Sequence, residues 1–207
     1  AQVEIYAAES PPAAVLALAG YAAAGFRTIG TWRDNYTVFS QAVRAVPRSA
    51  KAWQQLGAEY ANRLRDPDEG IACYRRSLSF HATDECAGQL ALALALRGKP
   101  GDFDEVKQLA AGVAADPSLD ATGGALTALG VVAMRELRWE DAVRYLAPPA
   151  AMKPTPQLHI WLGMSLYQAG RIGEAAACFR RVAETAPEAD ERREGQMQPP
   201  LPRSFRA

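Results

Sequence analysis

The sequence predicts an all-α fold, a right-handed α-solenoid of about four helical hairpins preceded by an apolar helix. Three observations predict it. A large residue is followed eight positions later by proline or alanine five times: Phe39/Pro47, Tyr74/Ala82, Leu109/Pro117, Leu146/Pro154 and Phe179/Pro187. The steps between these pairs are 35, 35, 37 and 33 residues, a beat of stacked hairpins. Between the beats lie Leu56-Gly57, Leu90-Ala91, Leu129-Gly130 and Leu162-Gly163, followed at a fixed spacing by Tyr60, Leu94, Ala133 and Leu166. That spacing puts large and small residues on one helical face, where the small residue admits a neighbouring helix. Alanine is abundant, and it loses no side-chain entropy in a helix.

The elements follow in order. Helices are expected near 32–46, 50–64, 68–80, 85–97, 103–115, 121–136, 139–147, 156–169 and 172–185. The second helix of each hairpin starts after a turn: Asp66-Pro67-Asp68-Glu69, Gly98 to Asp102, Arg138 to Asp141 and Gly170 to Gly173. Acids in those turns favour a helix start through capping and the helix dipole. The proline of the beat then stops the helix. Pro148 and Pro149 interrupt one second helix, and looser packing is expected there.

The chain of 207 residues has zero formal net charge, so no global field favours a nucleic acid or an acidic partner. Its three cysteines, Cys73, Cys86 and Cys178, show no CxxC spacing and read as small packing residues.

Four segments are expected: residues 1–11, an apolar helix over 12–30, the solenoid over 31–187, and a tail over 188–207. The run Pro12 to Phe26 is uncharged and alanine-rich. Its fifteen residues fall short of the roughly 20 of a full membrane span. It reads as the end of a membrane helix, an interfacial helix or an ordinary buried helix, and composition favours the last. In the tail, Glu188 to Glu194 is charged and can extend as a solvated helix, whereas Met197 to Ala207 is proline-rich and reads as disordered.

The repeats resemble the tetratricopeptide repeat (TPR) family, a 34-residue helix–turn–helix. The resemblance rests on Trp53, Leu56, Gly57, Tyr60, Tyr74 and Ala82 in one repeat. Leu129, Gly130, Ala133, Ala142, Leu146 and Pro154 carry it in a second. Trp161, Leu162, Gly163, Gly170, Ala175, Phe179 and Pro187 carry it in a third. The repeat from Glu85 to Pro117 is degenerate, with Glu105 and Gly112 at alanine places, and looser packing is expected there too. A narrower resemblance covers Phe26 to Gly57. Arg27, Thr28, Trp32, Asp34, Phe39, Pro47 and the Ala50 to Gly57 run look like the junction of transmembrane-and-TPR membrane proteins of the O-mannosyltransferase-like type. That resemblance implies a C-terminal module of a membrane glycosyltransferase, with the repeats extracytoplasmic and the catalytic part outside this sequence. Arg27, Arg33, Arg44, Arg48 and Lys51 after the apolar run argue instead for a cytoplasmic side.

Catalytic patterns are weak. His81 and His159 stand alone, with no HxxxH or HxxE spacing for a metal. No phosphate-cradling glycine loop occurs, and no cofactor is implied. Asp66/Asp68 and Asp102/Asp104 sit where capping explains them better than acid–base chemistry. Asn35-Tyr36-Thr37 is a glycosylation sequon, but Asn35 occupies a helix-packing place. Trp32, Trp53, Trp139 and Trp161 are read as core.

The expected function is a non-enzymatic scaffold that binds a protein or peptide in a groove lined by the first helices. Counting from each Leu-small pair, the groove positions are Lys51, Gln54, Ala58, Ala61 and Asn62 in the first full repeat. Gly88, Leu92, Ala95 and Leu96 follow in the next, then Thr127, Val131, Met134 and Arg135. Ile160, Met164, Tyr167 and Gln168 line the last. The groove is mixed at its N-terminal end, apolar toward the C-terminal end, and lacks the Lys/Asn/Arg set that the family uses to clamp a chaperone's C-terminal carboxylate. Leu92, Met134 and Met164 have an alternative reading as packing between repeats.

Overall fold

A computed structural model describes residues 34–116 and 120–196, with side chains to residue 184. The apolar run 12–26, the basic residues Arg27 and Arg33, Trp32, Pro117 and the tail 197–207 lie outside the described residues. The described residues form helices and turns only, and none of these helices is long and apolar enough to cross a membrane. The chain divides into two compact units, Ala1–His81 and Ala82–Ala207.

In the first unit, α1 (Asn35–Ala45) starts at Asp34, whose carboxylate accepts from the Thr37 amide at 2.8 Å. This start makes Asn35 an exposed first-turn residue and not the packing residue expected of it. Helix α2 (Ala50–Ala58) is capped by Ser49 and winds on into a π-helical turn, Glu59–Leu64, that ends at Arg65 in the left-handed region (φ 55°). Asp66 caps α3 (Pro67–Phe80), and Pro67 occupies the first turn, where its missing N–H costs nothing. Val43, Ala52, Leu56 and Cys73 form the core of this unit. Trp53 lies at its edge and donates from Nε1 to the Pro47 carbonyl at 2.9 Å, tying down the turn after α1.

The second unit holds α4 (Asp84–Arg97), α5 (Asp102–Leu109), α6 (Ala111–Ala115), α7 (Gly124–Arg135), α8 (Trp139–Met152), α9 (Pro156–Gln168) and α10 (Ile172–Gln196). Helix α4 packs on α5 and α7, α7 on α8, and α9 on α8 and α10.

The two sequence signals meet in space. A Cβ on Gly57 would lie 2.9 Å from the Tyr74 ring, one on Gly130 2.5 Å from Leu146 Cγ, and one on Gly163 2.9 Å from the Phe179 ring. The large residue of the beat therefore packs on the glycine of the Leu-Gly pair within each hairpin.

The degenerate repeat lacks this contact. Ala91 stands where the others have glycine, and it is fully buried. Leu109, its beat residue, is 38% exposed. The helix expected over 103–115 breaks at Ala110 (φ −102°) into α5 and α6. Clefts of about 290 and 360 Å³ flank the break, one lined by Leu109, Gly112 and Asp120, the other by Lys107, Leu129 and Tyr145.

The prolines behave differently. Helix α8 passes through Pro148 and Pro149 to Met152, so the expected end at 147 is corrected. Pro149 is fully buried, and a Cβ on Gly123 would come within 2.9 Å of it. Packing against Gly123 thus offsets the amide donors that the two prolines remove. Likewise, α10 continues beyond the expected end at 185, through Pro187 to Gln196, and takes in the charged part of the tail.

Gly130→Ala is expected to lower stability by about 1–3 kcal/mol, since Leu146 and its backbone must shift to admit a methyl group. Thermal unfolding followed by circular dichroism measures this; an unchanged melting temperature would contradict the packing described.

Candidate peptide-binding face

The sequence-predicted groove residues fall into exposed and buried sets, and their register on the first helices sorts them. The position six residues after each leucine of the Leu-small pairs carries Asn62, Leu96, Arg135 and Gln168, and all four are exposed. In the first unit, Asn62 stands on the π-helical turn, Ala58 is half-buried and Gln54 is buried, accepting from Lys51 Nζ at 3.3 Å. Gln54 thus offers no surface, a correction to its assignment.

In the second unit, Leu96 lies in the last turn of α4 and Arg135 closes α7. Leu96 is 46% exposed, and Arg135 donates from Nη2 to its carbonyl at 3.4 Å. On α9, Met164 (47% exposed) and Tyr167 (58%) stand outward with Gln168, and Ile160 is half-buried. Leu92 is half-buried as well. Val131 is buried, because α7 has helices on both flanks, and it drops out of the face. Met134 packs against the core cluster of Leu146, Leu158, Leu162 and Leu166, so its packing alternative is the one observed.

Beyond the first turn of α4, the first helices α4, α7 and α9 carry no acidic residue. Their outward face in this unit carries Leu96, Met164 and Tyr167 beside the polar Gln168, with Arg135 as a charge. A segment laid there would meet aliphatic and aromatic surface plus one cation, which suits an apolar polypeptide.

The remaining candidates resolve into structural roles. Asp66 accepts from the Glu69 amide at 3.2 Å. Asp102 is buried and takes a two-pronged contact from Arg97, with Nε 2.9 Å from Oδ2 and Nη2 2.6 Å from Oδ1. It also accepts from the Lys99 amide at 2.8 Å. The Arg97 side chain holds the Asp102 carboxyl below its ordinary range, against the opposing effect of burial. This carboxylate pins the turn between α4 and α5.

His159 is buried, its Nδ1 3.1 Å from the Thr155 carbonyl, and His81 is the exposed C-cap of α3. Burial pushes the Cys73 thiol up to about 11, with Glu69 adding to it, so it stays protonated and packs as a small apolar group. Among the described residues, no group of three or more His, Cys, Asp or Glu side chains could hold a metal.

Nothing in the repeat pattern singles out Asp120. It is buried and accepts from the Gly123 and Leu126 amides, both at 2.8 Å, and from Thr122 Oγ1 at 3.0 Å. It thereby supplies the start of α7, which begins on two glycines with no capping side chain of their own. The signal was an acid just before an apolar helical run.

Residues 156–189, which hold α9 and the start of α10, match the tetratricopeptide repeat model. The last hairpin is thus similar to a tetratricopeptide repeat. Solved structures share the fold. A crystal structure of MamA is 17% identical and superposes with a TM-score of 0.52, over 80% of this chain and 94% of that one. PilW, described as a widely conserved type IV pilus biogenesis factor, is 19% identical with a TM-score of 0.52, over 72% of this chain and 68% of that one. At such identities the likeness is one of fold. No protein of curated function matches the chain in sequence.

Asp102→Asn is expected to cost about 1–3 kcal/mol at pH 7 by weakening a charge-assisted contact. Because the folded pKa is depressed, that contribution is complete above the unfolded value of about 4 and fades as pH falls through the folded one. Urea unfolding of both proteins across this range checks it; a difference that persists in acid would refute the assignment.

Proposed function

We propose that this chain is a non-enzymatic protein-interaction scaffold that holds an apolar polypeptide on the first-helix face of residues 82–207. The observation that carries this reading is the outward display of Leu96 on α4 and of Met164 and Tyr167 on α9, a helix without Asp, Glu, Lys or Arg. Apolar side chains displayed together on regular elements mark contact surfaces. The tetratricopeptide repeat at 156–189 and the shared fold with MamA and PilW support it, since stacked hairpins present such surfaces without a catalytic centre. Leu96 and Tyr167 act as apolar anchors, Met164 adapts to the shape of the guest, and Arg135 receives a carboxylate or backbone carbonyl from it.

Selection from a random-peptide phage library tests the reading. Apolar peptides are expected to be enriched, and Leu96→Asp together with Met164→Arg should weaken their capture by about tenfold or more, with helical circular dichroism unchanged. Met134→Arg, by contrast, should lower the stability of the second unit, because Met134 is partly buried against its core cluster. Enrichment that survives the Leu96/Met164 double substitution would sink the assignment.

A further inference from the structure

Charge in the first unit is sorted by end. Every acid between residues 34 and 81 lies where α1 and α3 begin and α2 runs out: Asp34, Glu59, Asp66, Asp68 and Glu69. No acid occurs over 35–58 or over 70–83, and those stretches hold Arg44, Arg48, Lys51, Arg75, Arg76 and His81. Asp84 and Glu85 follow His81 in the chain and bound the basic stretch. Ser77 Oγ donates to the Ala50 carbonyl at 2.8 Å, which brings the end of α3 beside the start of α2. Arg76 lies over the Trp53 ring, 4.9 Å from its centre, and the same ring donates to the Pro47 carbonyl in the turn after α1. Arg44, Arg48, Lys51 and Arg76 are all exposed at this end.

Helix dipoles account for part of this pattern only. A cation suits the last turn of a helix, where Arg44 and Arg76 lie. Arg48 and Lys51 flank the start of α2, where the dipole disfavours a cation, and that first turn holds no acid. Between Arg44 and Arg48, moreover, Ala45, Val46 and Pro47 are all exposed, Val46 at 58%. The tip is held in shape by the Val46 amide, which donates to the Ala42 carbonyl at 2.9 Å, and by the Ser49 amide, which donates to the Val46 carbonyl at 3.0 Å. The next three turns of the beat differ in sequence. They carry His81, Asp116 and Lys153 in the place of Val46. In the place of Arg44 they carry Ser79, Ala114 and Ala151, and in that of Arg48 they carry Thr83, Ser118 and Thr155. The repeat itself therefore does not require an apolar tip between two arginines.

We propose that this end of the first unit docks on an anionic lipid bilayer, with Arg44, Arg48, Lys51 and Arg76 on the headgroups and the Ala45-Val46-Pro47 tip in the interface. A bilayer is negative at its surface and apolar beneath, so it satisfies the cations and the tip together. A soluble acidic peptide or a nucleic acid satisfies the cations alone. The docking concerns the first unit and is independent of what the second unit binds.

Co-sedimentation of the full chain with vesicles tests it. Phosphatidylcholine vesicles with about one third phosphatidylserine should hold the protein about tenfold more strongly than pure phosphatidylcholine, and high salt should reduce that preference. Arg44→Gln together with Arg48→Gln should lower the preference by about tenfold, at near fivefold for each arginine close to a charged bilayer. Val46→Ser should weaken binding to the mixed vesicles by about threefold. All three residues are exposed, and circular dichroism checks that the variants keep their helices. Equal binding to the two vesicle types, or a preference that survives the double arginine substitution, overturns the proposal. Dependence on the arginines with indifference to Val46→Ser overturns it too, and displacement by soluble polyglutamate then marks the partner as an acidic polypeptide.

Discussion

The contact on which the rest depends is the seating of one large side chain on one glycine within each strong hairpin. Tyr74 lies on Gly57, Leu146 on Gly130 and Phe179 on Gly163. Each glycine leaves a hollow that a methyl group would fill, and each large residue removes apolar surface from water by entering it. The contact sets how closely the two helices of a hairpin approach. It also sets their register, and so decides which side chains of the first helix face inward.

Where that contact is lost, the hairpin changes locally without losing its core. Ala91 stands fully buried where the others have glycine, and the second helix breaks at Ala110. Val106 and Ala110, both fully buried, take over the packing. Pro148-Pro149 shows the opposite balance. Two lost amide donors would be expected to end a helix, but burial of Pro149 over Gly123 keeps the helix going. Helix propensity is a weak prior that tertiary packing overrides.

The same logic governs the candidate site. A first helix with neighbours on both sides keeps only one row of its side chains in water, and a first helix with one neighbour keeps more. Val131 and Met164 hold equivalent places in the repeat, yet Val131 is buried and Met164 is about half exposed. Their difference comes from what lies beside them, and repeat-by-repeat counting treats them alike. Gln54 is buried as well, whereas Leu96, Arg135, Tyr167 and Gln168 are exposed. Asp120 and the Arg97–Asp102 pair escaped the pattern because they hold turns, and turns lie outside the repeat's apolar period.

By itself the sequence determined the all-helical class, the hairpin period and the positions of the large and small residues in each hairpin. Those depend on side-chain size at fixed spacing, which is written in the order of the residues. It determined the capping role of Asp66 as well, since a cap is a local interaction. Only the tertiary structure decided that α8 and α10 run through their prolines, that the degenerate repeat breaks its second helix, and which groove positions remain in water. Those outcomes turn on how much surface a neighbouring helix covers, and coverage is a property of residues far apart in the chain.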